Sequence, residues 1–192
     1  MQDIGGLVKT ERFCGQSLIS ITIPDVLIRH DDVQMLSHPV LKNGIEPDPK
    51  EWKHDFRLCP DSEMVGDVTF VRFLGAHSIS LNQKLGKQHR WKLMMHPEVC
   101  HVIGQFGRKK IKAIGDELTG HHGEKRVFSS RAAFGALAST TKNLDGGCTV
   151  APFISIDELP CGERDRMFFF PLTDGLNLDP NWIVCFVSGL KP

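Results

Sequence analysis

Apolar and polar residues alternate with a period of two in several short segments of the chain, a pattern that predicts β-strands. Residues 18–23 place Ile19, Ile21 and Ile23 on one face, and residues 67–74 place Val68 and Phe70 on one face. Further strands are predicted at residues 26–28, 56–59, 78–81, 150–156, 167–170 and 182–187. The last of these is apolar on both faces, which is typical of a strand in the middle of a packed sheet.

Helical spacing is clearest in the middle of the chain. Ile111, Ile114 and Leu118 recur at i, i+3 and i+7, which predicts a helix with one apolar face. A second helix is predicted over residues 131–141 after a serine cap, and a short helical turn after residue 31. Residues 91–95 fit a helix or a strand. Together these elements predict an α+β fold, a mostly antiparallel sheet with two or three short helices.

Two loop-like segments divide the chain. Residues 42–52, KNGIEPDPKEW, combine glycine and proline with charges, and residues 145–147 read Asp-Gly-Gly; both are typical of connections. We therefore expect a strand-rich segment at 1–50, a basic α+β core at 51–145 and a strand-rich segment at 146–192 that packs on the core. At 192 residues with 41% hydrophobic content, one continuous domain is the alternative.

Positive charge is concentrated in the middle of the sequence. Residues 82–132 contain eleven Lys and Arg against four Asp and Glu, a net charge of +7, whereas residues 1–81 carry −4 and residues 133–192 carry −3. The zero net charge of the chain is therefore a cancellation. A basic middle between acidic flanks favours an anionic partner, either nucleic acid or a membrane surface, over catalysis on a neutral small molecule.

The sequence also indicates a location. No apolar run approaches the roughly 20 residues that span a bilayer, and the opening MQDIGGLVKTER lacks the apolar core of a secretory signal. The six cysteines are scattered, which we interpret as free and mostly buried thiols. We expect an intracellular protein, cytoplasmic or nuclear, that is not secreted and has no transmembrane segment.

The strongest candidate for a binding site is a glycine turn followed by cations. We expect the turn to expose the N-terminus of a helix, where backbone amides and cationic side chains suit phosphate groups. Its residues are Gly104, Gln105, Phe106, Gly107, Arg108, Lys109, Lys110 and Lys112. Phe106 is expected to be exposed at the tip, where it can stack on a base or dip into a membrane.

A second candidate group is Trp91 between Arg90 and Lys92. An aromatic ring flanked by cations in a strand would lie where bases and phosphates meet, because single-stranded bases are held by stacking as well as by charge. The alternative is that Trp91 is a core residue.

The glycine turn resembles the core of a KH domain, a module that binds single-stranded RNA and clamps its backbone with a GxxG loop. The matching residues are Val102, Ile103, Gly104, Gln105, Phe106, Gly107, Ile111, Ile114, Thr119 and Gly120. The resemblance covers residues 88–140 and implies a strand at 91–95 and another at 125–128. Ile111 lies four residues after Gly107 where the family has three, and the loop lacks the usual basic residue. In the alternative interpretation, residues 99–103 form an ordinary strand and residues 105–110 a turn into a surface helix.

We therefore expect a non-enzymatic protein that binds single-stranded nucleic acid and needs no cofactor, and the KH resemblance implies that this nucleic acid is RNA. One alternative is a self-assembling structural protein, similar to viral matrix proteins, that forms homo-oligomers and binds an anionic membrane or a nucleoprotein. The second is a metal-dependent hydrolase that uses His96, Cys100 and His101. The spacing of these three residues does not place both imidazoles on one helical face, and no C-x-x-C or G-x-S-x-G motif accompanies them.

Overall fold

The computed structural model describes residues 7–29, 53–54, 63–120, 132–142, 149–159, 162–171 and 177–191. Two helices lie in these ranges, α1 (Ile79–His89) and α2 (His96–Thr119). The strands are β1 (Val8–Phe13), β2 (Gln16–Arg29), β3 (Lys53–His54), β4 (Glu63–Phe73), β5 (Lys92–Leu93), β6 (Ala133–Gly135), β7 (Ser139–Lys142), β8 (Thr149–Leu159), β9 (Gly162–Pro171) and β10 (Trp182–Lys191).

The strands pair in the order β1-β2-β4-β10-β6-β8-β7-β3, while β5 also pairs with β10 and β9 with β8. β6 runs parallel to β10, and the other strand pairs are antiparallel. The predicted α+β class is confirmed, but the sheet is mixed. α2, with 24 residues, is also longer than the short helices that were expected.

β10 lies at the centre of the sheet, between β4 and β6. Ile183, Cys185 and Val187 contribute to the core on one face of the sheet, and Val184 and Phe186 contribute to the core on the other. The apolar pattern of residues 182–187 therefore predicted a central strand correctly. Burial raises the pKa of the Cys185 thiol, so this cysteine stays protonated.

One helix covers each face of the sheet. On the α2 side, the predicted stripe of Ile111, Ile114 and Leu118 is fully buried against the core that contains Phe70. On the α1 side, Leu85 is buried in the second core. Fully burying one such side chain contributes about 1.5–3 kcal/mol. Neither helix in the described ranges is long and apolar enough to cross a bilayer.

A glycine allows α1 to approach the sheet closely. A Cβ atom at Gly86 would lie 2.9 Å from the carbonyl oxygen of Trp91 and 3.2 Å from the Phe186 ring. The backbone N–H of Trp91 also donates to the carbonyl oxygen of Gly86 at 2.8 Å. α1 is thus seated directly on the end of the sheet formed by β5 and β10.

The first strands form a tight hairpin that was only partly predicted. Cys14 and Gly15 connect β1 to β2 with φ angles of 48° and 82°, and positive φ at both positions is typical of a type I′ turn. β2 confirms the strand predicted at 18–23. Pro24 does not end β2, because the pairing with β4 shifts register between Ile23 and Val26 and then continues to Arg29.

Three predicted elements are wrong. Residues 78–81 begin α1, because the Ser78 hydroxyl caps the helix by accepting from the Leu81 backbone N–H at 3.2 Å. Residues 131–141 contain β6 and β7 in place of a helix, since β6 pairs with both β8 and β10. Residues 99–103, read as a strand in one interpretation, belong to α2.

The other predicted strands have mixed outcomes. β4, β8 and β9 contain those predicted at 67–74, 150–156 and 167–170, apart from residue 74, and β5 contains two residues of 91–95. The predictions at 56–59, at 125–128, after residue 31 and at both loop-like segments lie outside the described residues. The division into three segments stays a prediction, although β2, β4 and β10, one from each segment, pair directly.

Both ends of α2 are fixed by polar contacts. At the start, the buried Glu98 carboxylate accepts from the backbone N–H of Met95 at 2.8 Å, as in a capping box. Near the end, the Arg72 guanidinium of β4 donates to the carbonyl oxygen of Leu118 at 2.9 Å and to that of Pro180 at 2.6 Å. A cation at this position also interacts favourably with the helix dipole.

α2 is broken in the middle at Gly107, whose backbone angles are φ 72° and ψ 159°. This conformation is essentially restricted to glycine. Gly104 keeps helical geometry and is exposed. The predicted tight turn over residues 104–107 is therefore wrong, since the helix continues through Gly104 and only Gly107 departs from it.

The kink predicts opposite effects for two Gly→Ala substitutions in one helix. Gly104→Ala should raise the free energy of unfolding by about 0.5–1 kcal/mol, because alanine is the better helix former. Gly107→Ala should lower it by about 1–3 kcal/mol, because alanine is strained in this backbone conformation. No atom lies within 4 Å of the added Cβ, so the effect comes from the backbone and not from a steric clash. Urea denaturation of both variants measures the two effects. Equal signs would contradict a glycine-dependent kink.

Candidate nucleic-acid interface

The turn of α2 that follows Gly107 carries a group of cations. Lys109 is exposed, and Arg108 and Lys110 are half-buried. Lys112 is half-buried and forms an ion pair with Asp116, with Nζ 3.2 Å from Oδ2. The charge of Lys112 is thus partly neutralised, and the three preceding cations provide the positive surface.

The sequence around this turn reinforces its positive potential. No Asp or Glu occurs between Glu98, which is buried at the start of α2, and Asp116. Roughly 12 Å of helix separates Arg108 from Asp116 at the rise of an α-helix, about one Debye length at moderate salt. Arg108, Lys109 and Lys110 follow one another directly after the kink, and we call these three residues the kink cluster.

Phe106 lies immediately before the kink and is half-buried, in contrast to the expected exposed tip. Its ring packs against the core on the α2 side and lies 6.4 Å from that of Phe70, centroid to centroid. The Lys110 Nζ atom lies 4.0 Å from the Phe106 ring centroid. The first half of α2 explains the correction, because it is helical up to the kink and packs the Phe106 ring against the core instead of leaving it at the tip of a loop.

Arg90 and Trp91, the first two residues of the second predicted group, follow α1. Arg90 is exposed and ends the helix with a left-handed backbone, φ 58°. Trp91 is half-buried, and its ring is stacked on His89 at 4.3 Å and tilted against Phe186 at 5.7 Å. Trp91 thus packs on the core of the α1 side, as in the alternative that treats it as a core residue.

Lys92 projects from the opposite side of the sheet. It pairs with Val187, which belongs to the core on the α2 side, and directly paired residues of antiparallel strands share a face. Alternation along β5 therefore separates Lys92 from Trp91. The structure brings Phe106 together with the kink cluster, but it does not join all of the predicted binding residues into one surface.

Cations on the α1 side were counted in the sequence but not assigned to a site. Lys84 and Lys87 are exposed on α1, and Lys9 is exposed on β1. The signal that could have found Lys84 and Lys87 is the absence of any Asp or Glu from residue 68 to residue 97, whereas no such signal marks Lys9. The prediction of a strand at residues 78–81 obscured the helical spacing of Lys84 and Lys87.

The histidine and cysteine cluster of the hydrolase alternative lies at the buried start of α2. His96 and Cys100 are buried, and the Cys100 Sγ atom lies 3.5 Å from the Nε2 atom of His96. His101 is half-buried one residue further along. Across the described ranges, no group of three His, Cys, Asp or Glu residues is arranged to hold a metal ion. His121 and His122 lie outside those ranges.

Comparison with known proteins identifies no relative. No family model, no curated protein and no solved structure matches the chain. The resemblance to a KH domain and the binding of nucleic acid therefore stay predictions, and the case for a function has to come from the geometry of the described residues.

Proposed function

We propose that the protein binds single-stranded RNA at the kink of α2, without catalysis. The observation that carries this proposal is the conjunction, within five residues, of a helix break at Gly107, the kink cluster and the ring of Phe106. The helix break and the kink cluster suit the phosphate backbone of a nucleotide, and the ring of Phe106 suits its base.

The kink cluster suits the phosphates of the RNA backbone. Three cations in one turn provide charge, and a helical segment that restarts at Arg108 has N–H groups in its first turn without intrahelical acceptors. Such groups and the positive end of the helix dipole favour anions. The cationic side chains and the backbone N–H groups therefore contact the same phosphate groups of the RNA.

The ring of Phe106 suits a base. Lys110 occupies one side of the ring, and a cation–π contact contributes about 0.5–1 kcal/mol at an exposed site and about 2 kcal/mol when desolvated, so this half-buried pair lies between the two. Stacking of a base on an aromatic side chain contributes about 1–3 kcal/mol. A base therefore displaces the flexible Lys110 side chain, whose ammonium group then becomes available to the adjacent phosphate.

This exchange favours single strands over duplexes. In a duplex the faces of each base are covered by its neighbours, whereas bases in a single strand can be unstacked and placed on an aromatic ring. A 2′-hydroxyl group is a further handle that distinguishes RNA from DNA. The intracellular location that the sequence predicts is compatible with an RNA partner.

The charge of the kink cluster can be tested by its effect on the salt dependence of binding. In a first variant, Arg108→Gln, Lys109→Gln and Lys110→Gln are combined. Removing three phosphate contacts should reduce the slope of log affinity against log salt by about two units. Filter binding to a single-stranded RNA at several salt concentrations measures the slope.

The matched control removes the same charge from the other side of the sheet, with Lys9→Gln, Lys84→Gln and Lys87→Gln combined. All three lysines are exposed, so the control variant should keep the slope of the wild type. A kink-cluster variant with an unchanged slope would contradict the proposal. An equal loss in both variants would show that net charge alone drives the binding.

The role of Phe106 can be tested without disturbing its packing. Phe106→Leu keeps an apolar side chain on Phe70 but removes the stacking surface, and we expect the affinity for single-stranded RNA to fall about tenfold. Phe106→Tyr keeps the ring and should bind within about twofold of the wild type, as an exposed hydroxyl group costs little. Thermal melting verifies that both variants fold. Equal affinities of the two variants would exclude stacking.

A further inference from the structure

The α1 side of the molecule presents a second set of cations, which we call the α1 surface. It consists of Lys9, Lys84, Lys87 and Arg90, all of them exposed. Lys84 and Lys87 are three residues apart on α1 and are therefore neighbours on the helix surface. Lys9 joins them because β1 reaches the end of α1, where the Oε1 atom of Glu11 lies 3.1 Å from the Nε2 atom of His89.

The α1 surface has little opposing charge. No acidic residue occurs between Asp67 and Glu98, so α1 and β5 contribute none. Glu11 is the acidic neighbour of Lys9 on β1, and its Oε1 atom lies 3.1 Å from the Nε2 atom of His89. Among the described residues, no ion pair involves the side chains of the four cations of the α1 surface.

The α1 surface is also separate from the kink cluster. α1 packs through Leu85 on the face of the sheet that contains Phe186, and α2 packs on the face that contains Cys185. Alternate residues of β10 therefore point to the two helices. A ligand held by α2 leaves the α1 surface accessible, and this holds whatever the ligand of α2 is.

We propose that the α1 surface binds the anionic headgroups of a lipid bilayer, so that the protein lies on the membrane with α2 facing away from it. Clusters of four to eight Lys and Arg are typical of such binding, and here α1 contributes Lys84 and Lys87, its C-cap contributes Arg90 and β1 contributes Lys9. Each cation raises the partition onto an anionic leaflet about fivefold. The four cations of the α1 surface together raise it several hundredfold.

The aromatic residue on this side argues for a bilayer over nucleic acid. One face of the Trp91 ring is covered by the stacked imidazole of His89. Phe106 is covered instead by the end of the flexible Lys110 side chain. A base cannot stack on a face that is already covered. Trp91 instead matches the interfacial position that tryptophan adopts at the level of lipid headgroups, with its ring partly in apolar contact.

Vesicle flotation tests this inference. The vesicles contain three parts phosphatidylcholine to one part phosphatidylserine, with pure phosphatidylcholine as the neutral control. The variant Lys9→Gln, Lys84→Gln, Lys87→Gln should lose about a hundredfold in partition onto the anionic vesicles, at about fivefold per cation. The triple-Gln variant of the kink cluster, which has the same net charge, should stay within about twofold of the wild type.

Each other outcome overturns the inference. Equal losses in the two triple variants would mean that net charge, not the α1 surface, governs partition. Wild-type protein that fails to float, or that floats equally on neutral vesicles, would exclude an anionic-lipid site. A fall in RNA affinity with no fall in flotation for the α1-surface variant would make this surface a nucleic-acid site.

The charge-conserving variant Lys9→Arg, Lys84→Arg, Lys87→Arg should keep wild-type partition and serves as the folding control.

RNA affinity measured on the same variants separates this inference from the proposed function. If RNA binding at the kink fails its own test, the flotation of the two triple variants still decides the membrane inference. If the wild-type protein does not float with the anionic vesicles, the slope of log RNA affinity against log salt still tests the RNA site. The two proposals therefore stand or fall independently.

Discussion

The structure depends on one constraint, the burial of β10 on both faces. Every side chain from Ile183 to Val187 is at most 1% exposed, which means that neither side of the sheet can be left to solvent. Each face must be covered by another layer, and α1 and α2 supply those layers from opposite sides. Two local contacts hold the helices on the sheet: α1 approaches it closely at Gly86, and Arg72 of β4 donates a hydrogen bond to the Leu118 carbonyl oxygen at the end of α2.

The same constraint determines where the positive charge lies. The basic segment of the sequence contains α2 and most of α1, and a helix that buries its apolar stripe must direct its cations outward. Because the helices cover opposite faces, the cations of this segment are divided between two surfaces, and Lys9 of β1 adds to the one on the α1 side. Of the two, the surface on α2 combines charge with a broken helix and an aromatic ring that is covered by a flexible side chain, which is why the proposed RNA site lies there.

The sequence predicts what is local and misses what depends on distant pairing. Alternation over residues 18–23 and 182–187 gives their strands, and the spacing of Ile111, Ile114 and Leu118 gives the second half of α2. The first half was open to a strand interpretation because Val99, Val102 and Ile103 are β-branched, and packing against the sheet decides for a helix. Residues 133–135 resemble a helix locally, yet they form β6 because β8 and β10 supply partners that no local pattern reveals.

For the candidate site, the sequence identified Gly107 and the cations after it but not the helix before it, so Phe106 was placed too far into solvent. The most direct measurement of the central claim is amide hydrogen exchange of the protein with and without single-stranded RNA. The N–H groups of residues 108–110 start a helical segment and should exchange fast in the free protein. RNA should slow exchange at these residues and leave α1 unchanged. Protection of α1 without protection of residues 108–110 would contradict an RNA site at the kink.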